Sequence, residues 1–326
     1  MKFNWIPALL ASAILPLTFV SQAATPPLWP SKPIRMIVPS APGSPPDIVA
    51  RIVSERLAAA LGQPVVVESR PGAVGTIGLN AVAKATPDGY TFGIMSITSL
   101  LAPSLLPQIP YDIATDFAPV IQVTWESQLL VVRVGSSWKS VKDLVAFAKS
   151  QPGRITFASG GNGTPAHLSG EFFKRYTGID IRHVPYRGPV EAVSAIVGEQ
   201  VDMSFTATAA AGPHIQSGRV RALATPAPHR VPAFPDVPTM LEHGYAGFEI
   251  RAWQGVVAPI ATPKAIITRA ASEVAKLTAS QAIKERLAVL GMEPAEQGGS
   301  DAFGTLIRSE LARWSKVARE AGIRAE

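Results

Sequence analysis

Short β-branched runs alternate with amphipathic helical runs along most of the chain, which limits the fold to sheets covered by helices. IRMIV at 34–38 reads as a buried strand. DIVARIVSERLAAAL at 47–61 puts Ile48, Ile52, Val53, Leu57, Ala60 and Leu61 on one helical face, and Gly62 with Pro64 stops it. VVV at 65–67, a helix to about Ala85 and a strand from Tyr90 to Met95 complete a β-α-β-α-β unit, which predicts a parallel sheet. Near 117–134 two strand-like runs follow each other with little between them. A second alternation then begins: a capped helix from Ser140, a strand at 155–158, a helix after a glycine-rich turn, a strand at 181–185, a helix at 189–197 and a strand at 201–205. A strand from Glu249 to Ala258 and three helices at 263–278, 281–290 and 301–321 close the chain. The pattern predicts two α/β lobes, each a mostly parallel sheet flanked by helices. Residues 24–125 with 246–326 form the first lobe and 126–245 the second. The chain crosses twice between them, which makes a hinge and a cleft.

Residues 1–23 read as a secretory signal: Lys2, an uncharged apolar stretch from Ile6 to Val20 interrupted by Pro7 and Pro16, then Ser21-Gln22-Ala23 with cleavage expected near Ala23. That stretch is short for a membrane span, which needs about 20 apolar residues. The 326 residues contain no cysteine, which excludes disulfides, thiolate metal sites and a cysteine nucleophile. A net charge of +6 with 7% aromatics and no dense Lys/Arg run gives no reason to expect nucleic acid.

Two turns carry the chemistry. PSAPGSPPD at 39–47 and SGGNGTPAH at 159–167 each follow a strand and open a helix, with Ser44 and Thr164 as expected N-caps and Pro45 and Pro165 at the first helical position. Asp47 would close a capping box on the first. Helix starts offer unpaired N–H groups and partial positive charge, so two of them, one per lobe, suit opposing clamps on a small anion. Other patterns are weak. His167 and Glu171 are four apart but have no third metal ligand nearby, Ser136 and Lys139 match only a short S-x-x-K, and no nucleophile–base–orienter set stands out.

Taken together, WPSKPIRMIVPSAPGSPPDIVAR at 29–51, GQPVVVESRPGAVGTIG at 62–78, ATPDGYT at 85–91, LPQIPYDIATDFAPV at 106–120, FASGGNGTPAHLSGEFFK at 157–174, HVPYRG at 183–188, GRVRALA at 218–224, FPDVPTMLEHG at 234–244 and LGMEPAEQ at 290–297 resemble the Bug-type solute-binding proteins of tripartite tricarboxylate transporters. The resemblance runs in order over nearly the whole chain after the signal. It implies a type II-like periplasmic binding protein fold that closes on a small organic carboxylate (a di-, tricarboxylic or aromatic acid), no catalysis, no cofactor and no metal. The implied partners are the ligand and the membrane permease subunits, with the protein a periplasmic monomer. The implied site draws on Ser40, Pro42, Gly43 and Ser44 on one side, Ser159, Gly163, Thr164 and His167 on the other, and Tyr186 and Thr206. Ser44, Ser69 and Thr206 depart from residues common in that family, and these positions bear on ligand identity. An Asp at 206 would answer an ammonium and Thr206 would not, so a carboxylate without an amino group is expected. A periplasmic ligand sensor feeding a signalling partner is the second reading, and an exported hydrolase the third.

Overall fold

A computed structural model of the chain describes residues 1–2, 29–296 and 298–321. The expected export signal and its cleavage point lie almost entirely outside the described residues. No described helix is long and apolar enough to cross a membrane.

In chain order the first part runs β1 (Ile34–Val38), α1 (Pro45–Leu61), β2 (Val65–Ser69), α2 (Thr76–Ala83), β3 (Thr91–Ser96), α3 (Ile97–Leu100), α4 (Ala102–Leu105) and β4 (Phe117–Glu126). The middle runs β5 (Gln128–Arg133), α5 (Val141–Ser150), β6 (Ile155–Ser159), α6 (Pro165–Thr177), β7 (Ile181–Pro185), α7 (Pro189–Val197), β8 (Met203–Ala207), α8 (Thr208–Gln216) and β9 (Val220–Ala224). The last part holds β10 (Ala252–Pro259), α9 (Lys264–Ala279), α10 (Gln281–Val289), β11 (Met292–Pro294) and α11 (Gly299–Ala321). One sheet has the order β11-β4-β10-β3-β1-β2 and the other β7-β6-β8-β5-β9. The chain passes between sheets after β4 and again after β9.

The two-lobed α/β architecture stands, but the sheets are mixed rather than mostly parallel. Parallel pairing is confined to β2-β1-β3 and β7-β6-β8. β10 runs antiparallel to β3 and β4, β11 to β4, and β5 to β8 and β9. The reason lies in the crossings. A chain that has just crossed starts at the inner edge of the new sheet and runs away from it, against strands that end there. β5 and β10 are the first strands after each crossing.

The crossing strands are tied together. Ser127, between β4 and β5, donates its N–H to Gly291 O and accepts from Thr208 Oγ1 at 2.9 Å, and Thr225 Oγ1 donates to Gln128 O at 2.8 Å. The largest apolar cluster joins both sheets, with Met95, Trp253 and Phe303 on one side and Phe157, Phe173 and Phe205 on the other. α11 packs on β4 and also reaches α6. Each buried aromatic of this kind contributes about 1.5–3 kcal/mol, so one flank of the lobe junction is firmly packed. The cavity borders the same junction, lined in part by Ile97, Ala252 and Trp253 of this cluster.

Candidate functional site

The two turns are copies of each other at the level of single atoms. Gly43 has φ 77° and Gly163 φ 75°, a left-handed conformation that glycine adopts without strain. The next residues sit at φ −73°, ψ 159° (Ser44) and φ −69°, ψ 159° (Thr164), the extended geometry of an N-cap. Both hydroxyls turn backwards: Ser44 Oγ donates to Ala41 O at 2.6 Å and Thr164 Oγ1 to Gly161 O at 2.7 Å. The expectation that they cap their helices through the side chain is therefore corrected. A cap hydroxyl accepts from the second or third helical N–H. Each hydroxyl instead closes the loop before its helix by donating to the carbonyl three residues back, although a third helical N–H remains in both helices.

The third helical residue completes each turn. Asp47 Oδ2 accepts from Gly43 N–H at 3.0 Å, and His167 Nδ1 accepts from Gly163 N–H at 3.1 Å. Burial pushes Asp47 up, but hydrogen bonds from Arg51, Gly43 and Ser69 outweigh it and hold the carboxyl below its usual range. His167 stacks on His183 with ring centres 3.9 Å apart, and His183 stacks in turn on Phe157. Burial first, then the neighbouring His183 and Lys174, lower His167 to about 3; burial and Lys174 lower His183 to about 4. Both rings are neutral at pH 7, so His167 Nδ1 is a bare acceptor. His183 Nε2 lies 2.6 Å from Ser159 Oγ. Gly43 and Gly163 thus spend their N–H groups inside the protein. The N–H groups of Ser40, Ala41 and Gly160 make no hydrogen bond among the described residues.

Both turns face one cavity of about 470 Å³. Of the residues expected at the site, Ser40, Pro42, Gly43, Ser44, Thr164 and Thr206 line it. Ser159, Gly163, His167 and Tyr186 do not. Ser159 is fully buried, His167 and Gly163 bond each other, and Tyr186 packs into the apolar cluster of the second lobe with its N–H on Ser159 O. These four lie outside the cavity lining. The metal pairing weighed for His167 and Glu171 is not formed, since His167 Nδ1 is occupied and Glu171 pairs with Lys174.

Other lining residues were not anticipated. Ser96 to Ser99 enter where β3 becomes α3, and Arg187 to Glu191 surround the start of α7. Gly188 and Pro189 open α7 as another glycine-proline helix start, with glycine itself at the N-cap, a signal that was present in the sequence. The floor adds Glu126, Gln128, Trp253 and Gln254. Glu126 is 4% exposed. One of its oxygens accepts from Gln254 Nε2 at 2.7 Å, while Gln254 Oε1 accepts from Thr124 Oγ1 at 2.5 Å. Burial, only partly offset by Gln254, pushes Glu126 up to about 7. Thr206 Oγ1 and Trp253 Nε1 are buried with no hydrogen-bond partner. Thr206 alone therefore does not exclude an ammonium, because Glu126 brings an acidic group to the same cavity.

Residues 49–323 match the family described as "Tripartite tricarboxylate transporter family receptor". The chain belongs to this family. The receptor is 38% identical over 296 residues to protein BugT of Bordetella pertussis, covering 90% of each chain. Its fold is similar to R. palustris Rpa4515 with adipate, at a TM-score of 0.85 and 33% identity, over 91% of this chain and 100% of that one. It is also similar to the periplasmic binding protein BugD, at a TM-score of 0.83 and 34% identity, over 91% and 100% of the two chains.

Proposed function

We propose that the protein is exported to the periplasm, captures a small organic carboxylate in the cavity between its sheets, and presents it as a monomer to the membrane subunits of a tripartite tricarboxylate transporter. The observation that carries this reading is the matched pair of helix starts, one from each sheet, on one cavity. The N–H groups of Ser40 and Ala41 on one side and Gly160 on the other are unspent there. A carboxylate is the ligand such donors suit. The adipate bound by Rpa4515 supports the same class for this receptor.

Residues 24–125 with 246–326 and residues 126–245 act as the two closing bodies, with Ser127, Thr208 and Gly291 at the pivot. Residues 1–23 direct export. The receptor does no chemistry on its ligand: Ser159, the serine beside His183, lies outside the cavity and could not reach it. A thermal-shift screen tests the reading. Di- and aromatic carboxylates should raise the melting temperature by mass action, a ligand at one hundred times its Kd adding about 2.7 kcal/mol. A screen in which no carboxylate stabilises the protein would overturn it.

A further inference from the structure

The polar lining of the cavity has unspent groups. Thr206 Oγ1 has no hydrogen-bond partner, and its hydroxyl can donate to an oxygen of the ligand. Glu126 lies on the same floor, with one oxygen on Gln254 Nε2 and the other without a partner among the described residues. In the free protein Gln254 presents its amide N–H to the carboxyl while its carbonyl accepts from Thr124 Oγ1.

No cation answers Glu126. On β10, Ala252 is its register partner, and the adjacent Arg251 reaches the other face, 4.5 Å over the Trp125 ring and paired with Glu293 of β11. Glu293 is held further by His229. At the α7 end of the cavity the Arg187 backbone N–H donates to Glu191, while its guanidinium makes no ion pair among the described residues and does not act on the Glu126 carboxyl; at α1 Asp47 is held by Arg51. Only burial and Gln254 act on the Glu126 carboxyl.

We propose that Glu126 is the charge-reading group of the cavity: it becomes protonated when an anionic oxygen of the ligand lies against it, so capture of a dicarboxylate draws one proton from solution. The inference rests on the carboxylate reading above and names what meets the ligand's second polar end. An ionised Glu126 and a ligand oxygen anion cannot both remain charged side by side in a buried site. Protonated, Glu126 becomes a second donor beside Thr206. With its carboxyl already at about 7 in the free protein, it needs little further shift to take the proton.

The test is calorimetry of adipate binding at pH 8 in two buffers of different ionisation enthalpy, which counts protons exchanged without any variant. The expected result is uptake approaching one proton per adipate, with affinity falling by up to tenfold per pH unit above pH 7. Glu126→Gln, near-isosteric, should fold, abolish the uptake and flatten the pH profile. Adipate binding with no proton exchange, or with uptake unchanged in the variant, overturns the inference and leaves the carboxylate reading intact. Proton release would also overturn it, because it means that an ionised Glu126 is preferred in the complex. Should adipate not bind, the count is made with the strongest carboxylate of the thermal-shift screen; a protein that binds no carboxylate refutes both.

Discussion

Thr206 shows how one side chain can be expected in the right place for an incomplete reason. It stands near the carboxyl end of β8, where ligands of such sheets bind, and lines the cavity as expected. The acidic partner missing from that expectation is Glu126, the charged last residue of the buried strand β4. A charge embedded in such a run was the available signal. The hydroxyl of Thr206 has no partner in the free protein, so Thr206→Val should leave stability unchanged or raise it by up to about 1 kcal/mol. Adipate binding should weaken by about 1 kcal/mol, roughly fivefold. Urea unfolding and calorimetry read the two effects separately, and an unchanged affinity would make Thr206 a packing residue only.

At the scale of elements, the glycine-rich turn before α6 is held by titratable groups. His167 and His183 are lowered to about 3 and about 4 when folded, against an ordinary value of 6.5. Between these limits the unfolded chain binds more protons, so the pair's contribution to stability is full above pH 6.5 and is lost as pH falls through about 4 to about 3. His167→Asn keeps an acceptor for Gly163 N–H and cannot titrate. Denaturation curves at pH 7.5, 5.5 and 4.5 should show wild-type stability falling more steeply than the variant's, by up to about 1.4 kcal/mol per pH unit. Parallel slopes would show that His167 is already charged in the folded state. The sequence made the turns legible because strand, glycine, cap residue and proline are local signals. It did not show which N–H groups the turns consume, because that depends on Asp47 and His167 reaching back over a whole turn. Helices α3, α4 and α8 were missed as well. α3 and α4 are single turns, and α8 begins directly after β8 with no breaker between them. Sheet direction was legible only within each β-α-β unit, since the antiparallel strands are those that follow a crossing.

Across the molecule, the two sheets share an apolar seam and a cavity beside it, with strand crossings between. That arrangement permits closure about Ser127 while the helix starts approach each other. If one carboxylate is gripped from both sides by the two matching turns, a crystal structure of the protein with bound adipate, or with the strongest carboxylate of the thermal-shift screen, shows it. The expected result is a carboxylate group at hydrogen-bond distance, about 2.7–3.2 Å or through one ordered water, from N–H groups of both the 40–44 and the 160–164 turns. A ligand carboxylate held by only one turn, or seated outside the cavity, would contradict it.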